Sequence, residues 1–184
     1  MAKVTLPLAS LTATGTFGDA ITYSVWRGKR TARLKSNPSN PQTAGQMAQR
    51  AILSVVGKIT KSADKEGTEV AFLRSVTPAG QVWSSQFGAL ITGPQNTNFA
   101  ATKAAYELAA NAAKKGYFDS AATAVGIEGV NLGGSNTHPA GLVLAAAYEA
   151  SRRAGSPNAP ADIASVTEAQ VKTYAEELTG KTIA

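Results

Sequence analysis

Apolar and polar positions divide this chain into two stretches of different period. Between Val4 and Leu34 the pattern is extended, and "VTLPLASLTATGTFG" mixes β-branched residues with Pro7, Gly15 and Gly18. "AITYSVW" then alternates, with Ile21, Tyr23 and Val25 on one side and Thr22, Ser24 and Trp26 on the other, the period-two signature of a strand. Gly28 stands at a turn position and "RTARLK" returns as a second strand. The pattern predicts a β-hairpin with strands near 20–26 and 30–35. An isolated hairpin is marginal in water, so this one is expected to pack on the body or on a neighbouring molecule.

"SNPSNPQ" interrupts the pattern. Pro38 and Pro41 remove backbone donors and push Asn37 and Asn40 toward extended conformations, which predicts a stiff linker. Beyond it the period is helical. Thr43 has the signature of an N-cap, and Gln46 three residues later completes a capping box. Ala48, Ala51, Ile52, Val55 and Ile59 share one face, predicting a helix from about 44 to 62. A short helix is expected over 68–75. Thr77-Pro78 reads as an N-cap followed by Pro at the first helical position, opening a helix that carries Val82, Trp83, Phe87 and Leu90. "GPQNTN" breaks the chain, and "FAATKAAYELAANAAKKG" predicts one helix stopped at Gly116. "YFDSAATAVG" holds another short helical turn, and "IEGVNLGGSN" is a Gly-rich loop. Thr137, His138 and Pro139 open a helix ending at "SRRAG", and "SPNAPAD" is a second linker. Thr167 with Gln170 gives a further capping box, for a helix running to about Leu178 before Gly180.

The expected fold is mainly α: a helical, bundle-like body over 43–184 with a basic, extended or β-hairpin N-terminal arm and Asn-Pro linker over 1–42. No repeat of fixed period supports a solenoid. The 184 residues suffice for one domain with a substantial core, or a compact domain plus an arm. Alanines are many and aromatics few, which favours closely approaching helices. The longest apolar run, "GLVLAAAYEA", is too short and too Ala-rich to cross a bilayer, and "MAKVTLPLASLTATG" is a poor secretory signal. A soluble protein with no membrane association is expected.

Candidate chemistry is sparse. The absence of Cys excludes disulfides, thiolate metal sites and Cys nucleophiles. The one histidine, His138, precedes Pro139 at a helix start and reads as part of the cap rather than as a general base. No G-x-S-x-G elbow accompanies it. Glu176 and Glu177 are adjacent, point to different faces and read as solvated charges. "GVNLGGSN" lacks the Lys of a Walker motif and the G-x-G-x-x-G spacing, so it reads as a flexible connection or an oligomer contact. Neither EF-hand nor H-E-x-x-H spacing occurs. No catalytic residue, metal ligand or cofactor is assigned, and the chain is expected not to be an enzyme.

Charge changes the picture. Residues 1–50 carry seven cations, Lys3, Arg27, Lys29, Arg30, Arg33, Lys35 and Arg50, against Asp19, whereas the rest carries eleven of each sign. The whole excess of +6 therefore belongs to the N-terminal quarter. Three readings compete for it. The hairpin wears cations on its wet side for solubility. Alternatively, it binds nucleic-acid phosphates, with Trp26 or Tyr23 stacking on bases. In the third and favoured reading, it reaches an acidic surface on a neighbouring subunit, where strand addition supplies backbone bonds and arginines supply orientation. The neutral body argues against nucleic acid, whose binders extend their positive field over a folded face.

The stretch "FGDAITYSVWRGKRTARLKSNPSNPQTAGQMAQR" also resembles small virion-associated proteins of tailed bacteriophages. The resemblance rests on "G-x-x-x-A-R" followed by "N-P-x-T-x-x-Q-x-x-x-R", here Asn40, Pro41, Thr43, Gln46 and Arg50. It covers about a fifth of the chain. What it implies is a non-enzymatic structural component of the virion at the neck or collar, the tail or the capsid surface, assembled in the host cytoplasm. Its expected partners are other virion proteins and copies of itself in a ring, with weak contacts multiplied by avidity. Trp26, Arg27, Lys29, Arg30 and Arg33 are the expected docking residues, and Asn40, Pro41, Thr43, Gln46 and Arg50 their junction with the body.

Overall fold

A computed structural model of the chain describes residues 2–3, 15–17, 21–34 and 42–183. Within the strands, side chains are described for residues 21–25, 27–29 and 31–34. The chain divides into two compact units, Met1–Pro41 and Gln42–Ala184.

The first unit is a four-stranded antiparallel sheet. Its strands are β1 (Ala2–Lys3), β2 (Gly15–Phe17), β3 (Ile21–Trp26) and β4 (Lys29–Leu34), in the order β1-β4-β3-β2. The expected hairpin is β3–β4, paired from Ile21↔Leu34 to Trp26↔Lys29. Two short strands that the sequence pattern did not define flank it. They pair Ala2 with Ala32 and Phe17 with Ile21.

The second unit is helical. Helix α1 (Ala44–Ser62) starts where the Thr43 side chain accepts the Gln46 N–H at 3.4 Å. The reciprocal half of the expected box is not formed. The core face is Ala51, Ile52, Val55 and Ile59, while Ala48 lies outside it, exposed. Helix α2 (Thr68–Ser75) follows as expected. Thr77 does not start the next helix: its hydroxyl turns back to the Leu73 carbonyl at 2.6 Å, and Gly80 takes a left-handed conformation. Helix α3 (Trp83–Thr92) therefore begins six residues later than Thr77, capped by Val82 without a side-chain bond.

The long helix expected over "FAATKAAYELAANAAKKG" is two helices, α4 (Thr97–Glu107) and α5 (Ala112–Val125). The break is held by Asn111, buried, whose side-chain amide donates to the Ala105 carbonyl at 2.7 Å. Gly116 stops nothing; it lies inside α5, which runs through "YFDSAATAV" to Gly126. "GVNLGGSN" is folded rather than a bare loop, with β5 (Val130–Asn131) pairing β6 (Thr137–His138).

Helix α6 (Ala140–Ala154) forms the axis of this unit. Every residue from Gly141 to Ser151 is buried, so no polar face is left. A helix apolar all round belongs inside a core, and α1, α3, α4, α5 and α7 (Glu168–Thr179) pack around it. Its end is fixed by Gly155 at φ 86, where the Gly155 and Ser156 N–H groups donate to the Arg152 and Ser151 carbonyls. That pair of bonds needs a left-handed residue, which glycine adopts at little steric cost. Ala145–Ala147 and Ala150 are among the small side chains that let the neighbours of α6 approach closely inside this core. Phe118, Tyr148 and Tyr174 stack edge-to-face at 5.6 and 5.0 Å, and Tyr174 shares a 2.8 Å hydrogen bond with Ser151.

"SPNAPAD" is likewise tied down. Glu69 is fully buried and accepts from Ser156 Oγ at 2.7 Å and Asn158 Nδ2 at 3.4 Å, while Ala159 and Ile163 enter the core. Helix α7 carries the complete capping box expected of Thr167 and Gln170, and it ends at Gly180.

Candidate docking surface

The sheet's central hairpin is closed by two residues, Arg27 at φ 49 and Gly28 at φ 74. Positive φ at both central positions is the turn whose twist matches that of antiparallel strands. Gly28 takes it at little steric cost, whereas Arg27 is a side-chain-bearing residue in a region that L-residues rarely visit. The tight turn places Arg27, Lys29 and Arg33, all exposed, on one short hairpin.

Register sorts the side chains. Directly opposed residues share a face, so Ile21, Tyr23, Val25, Ala32 and Leu34 line one side. Thr22, Ser24, Lys29, Thr31 and Arg33 line the other, where Ser24 Oγ and Thr31 Oγ1 are hydrogen bonded at 2.9 Å. On the apolar side, Val25 is 49% and Leu34 80% exposed. By the same register the strand position of Arg30 belongs to the first side and that of Trp26 to the second, so the division into an apolar face and one of cations and hydroxyls holds among the described side chains.

The expected site residues separate accordingly. Arg27, Lys29 and Arg33 belong to the hairpin. Trp26 and Arg30 occupy its strand positions opposite Lys29 and Val25, their side chains outside the described residues. Asn40 and Pro41, with the rest of the linker, also lie outside them. Thr43, Gln46 and Arg50 sit on the first turns of α1, in the second unit. Thr43 caps the helix, Gln46 offers it a backbone donor, and Arg50 reaches Met47 Sδ at 3.8 Å.

Arg50 also lines an open groove of about 570 Å³ with Gln42, Met47, Leu53, Ser54 and Leu132. The sequence reading passed over this groove. Its available signal was Leu53, an apolar residue off the core face of α1, which stands 63% exposed.

His138 is not the cap of α6. Pro139 holds that position without a side-chain bond, and His138 is buried in β6, its ring 5.2 Å from that of Phe99. Burial, with the charge of Lys103, holds its imidazole below the ordinary value. Tyr106 donates to Asp119 at 2.5 Å, and burial together with that carboxylate raises its phenol, so it stays protonated. Glu176 is half-buried and accepts the Ile183 N–H at 2.7 Å.

Among the described residues no three His, Cys, Asp or Glu side chains are grouped to hold a metal ion, and no helix is long and apolar enough to cross a membrane. No protein-family model, curated protein or solved structure matches the chain.

Proposed function

We propose that this chain is a non-enzymatic structural component of a tailed-phage virion, at the neck, the tail or the capsid surface, docked into an oligomeric assembly by its basic N-terminal unit. The observation that carries the reading is the two-faced hairpin. One face leaves Val25 and Leu34 in water, and the exposed cations Lys29 and Arg33 stand on the other. An apolar face left in water marks a docking surface, and the cations on its reverse give a neighbouring subunit a second, charged face to orient against. The short phage-like stretch running through Arg50 adds the particle as the setting. Partners are other virion proteins and sister copies, where repetition multiplies a modest contact.

Deleting residues 1–40 tests it. The truncated chain should keep its helical circular dichroism and lose incorporation into particles; normal incorporation would overturn the proposal. A competing reading, phosphate binding by the same cations and hydroxyls, predicts DNA affinity that falls steeply with salt. Salt-insensitive or absent DNA binding removes that reading and leaves the first.

A further inference from the structure

The open groove at Arg50 has a neighbour in the helical unit. A second hollow, of about 430 Å³, lies between α1 and α3, with Leu53, Val56, Thr60, Ser85, Gly88 and Ala89 in its walls. Leu53 lines both, so the two adjoin along the outer side of α1. Helix α3 comes close because Gly88 has no side chain: a Cβ there would stand 3.2 Å from Val56 Cγ1. Gly57 lies one turn beyond Leu53 on the same side of α1 and leaves a notch, where a Cβ would meet nothing within 4 Å. Glycine inside a helix carries an intrinsic penalty, and no contact among the described residues calls for this one.

Charge indicates what would fill this groove. No carboxylate lines either hollow, and α1 carries none from Ala44 to Ser62, against Arg50, Lys58 and Lys61. Lys58 is paired with Glu128. Arg50 and Lys61 stand about three turns apart, so they share one edge of α1, roughly 16 Å from each other along its axis. The groove is therefore greasy along its floor and positive along one rim. A sister copy laying its own α1 there would set cation against cation, which disfavours that partner. A helix with carboxylates beside its apolar stripe suits both features: its apolar face enters the groove, and acids about three turns apart reach the two cations.

We propose that the α1–α3 groove docks an acidic amphipathic helix of another protein, its apolar side chains against Leu53, Val56 and Leu132 and its carboxylates toward Arg50 and Lys61. The groove belongs wholly to the helical unit, so this inference goes beyond docking by the hairpin and stands or falls without it.

Fluorescence anisotropy of two labelled synthetic peptides with the full chain tests it. Both peptides form helices with the same leucine stripe; one carries glutamates beside the stripe at three-turn spacing, the other lysines at those positions. The acidic peptide should bind saturably, and the basic one about tenfold more weakly, because two attractive rim pairs become repulsive. Gly57→Gln stands a side chain in the notch and should block the acidic peptide, while Lys61→Glu should narrow its advantage over the basic one. Equal binding of the two peptides, no saturable binding of either, or undiminished affinity in a folded Gly57→Gln protein would each overturn the proposal. So would a free protein that sediments as a dimer and returns to monomers on Gly57→Gln, because the groove would then belong to a sister copy. Should Gly57→Gln fail to fold, the peptide pair on the parent and on Lys61→Glu decides.

Discussion

Helix α6 and the N-terminal hairpin are both rich in apolar residues, yet they place them in opposite ways. The helix hides every side chain from Gly141 to Ser151 against five other helices of its own unit. The hairpin leaves Val25 and Leu34 in water and stands its exposed Lys29 and Arg33 on the opposite face. The driving force is the same in both, roughly 25 cal/mol per Å² of apolar surface removed from water. In α6 the chain collects that free energy by itself. In the hairpin part of it is not collected, and the docking proposed above would draw on that remainder.

Truncation measures the contrast most directly. Leu144→Ala should lower unfolding stability by about 2–5 kcal/mol in urea titrations, because a fully buried side chain leaves a cavity. Leu34→Ala should change it by less than about 0.5 kcal/mol, as at other exposed sites. Comparable losses at the two leucines would erase the distinction. Gly141→Ala tests how closely α6 is gripped: the added methyl would overlap Asp119 Oδ1 and come within 2.8 Å of Tyr106 Oη. A loss of about 1–3 kcal/mol is expected, with the Tyr106–Asp119 hydrogen bond disturbed.

Caps give a smaller effect. Thr167→Ala removes the hydroxyl's two bonds to Gln170, leaving the backbone half of the box, and should cost about 1 kcal/mol, whereas Thr43→Ala, which loses a single bond at 3.4 Å, should cost less. Parallel thermal melts compare them. The last test is pH. The buried imidazole of His138 resists protonation, whereas in the unfolded chain it takes up a proton near pH 6.5. Between those two values the unfolded state binds more protons, so stability present above about pH 6.5 is lost as pH falls below it. His138→Gln should flatten that slope, and an unchanged slope would show that the burial is not sensed.

Where one local signal decided the structure, the sequence could be read. Helix α1 spans the residues its apolar spacing marks out, and the Thr167–Gln170 box is complete because its partners lie three positions apart. The hairpin followed from alternation and from Gly28. What escaped was set by distant partners. Asn111 breaks a helix-forming run because its amide reaches Ala105 in the folded structure. Gly116 stays inside α5 despite an intrinsic penalty of about 1 kcal/mol, with tertiary packing outweighing propensity. Thr77 resembled an N-cap but serves the preceding helix. The short strands flanking the hairpin carry too few residues for a period to show.

The residues proposed for docking were legible only in part. A count of cations finds Arg27, Lys29 and Arg33, but which of them share a face follows from strand pairing. The partners of Arg152 and Arg153, which share the Glu149 carboxylate, were not legible at all. "SRRAG" announces the end of a helix, and nothing in it tells which of two adjacent arginines keeps a nitrogen without a partner.

The position of α6 also bears on how the helical unit comes apart. A rod sheathed along most of its length has no margin from which to fray, and removing any of its neighbours strips it of cover. Loss of structure should therefore run through the whole unit at once, with the amide hydrogens of Leu142–Ala150 the last to trade with solvent.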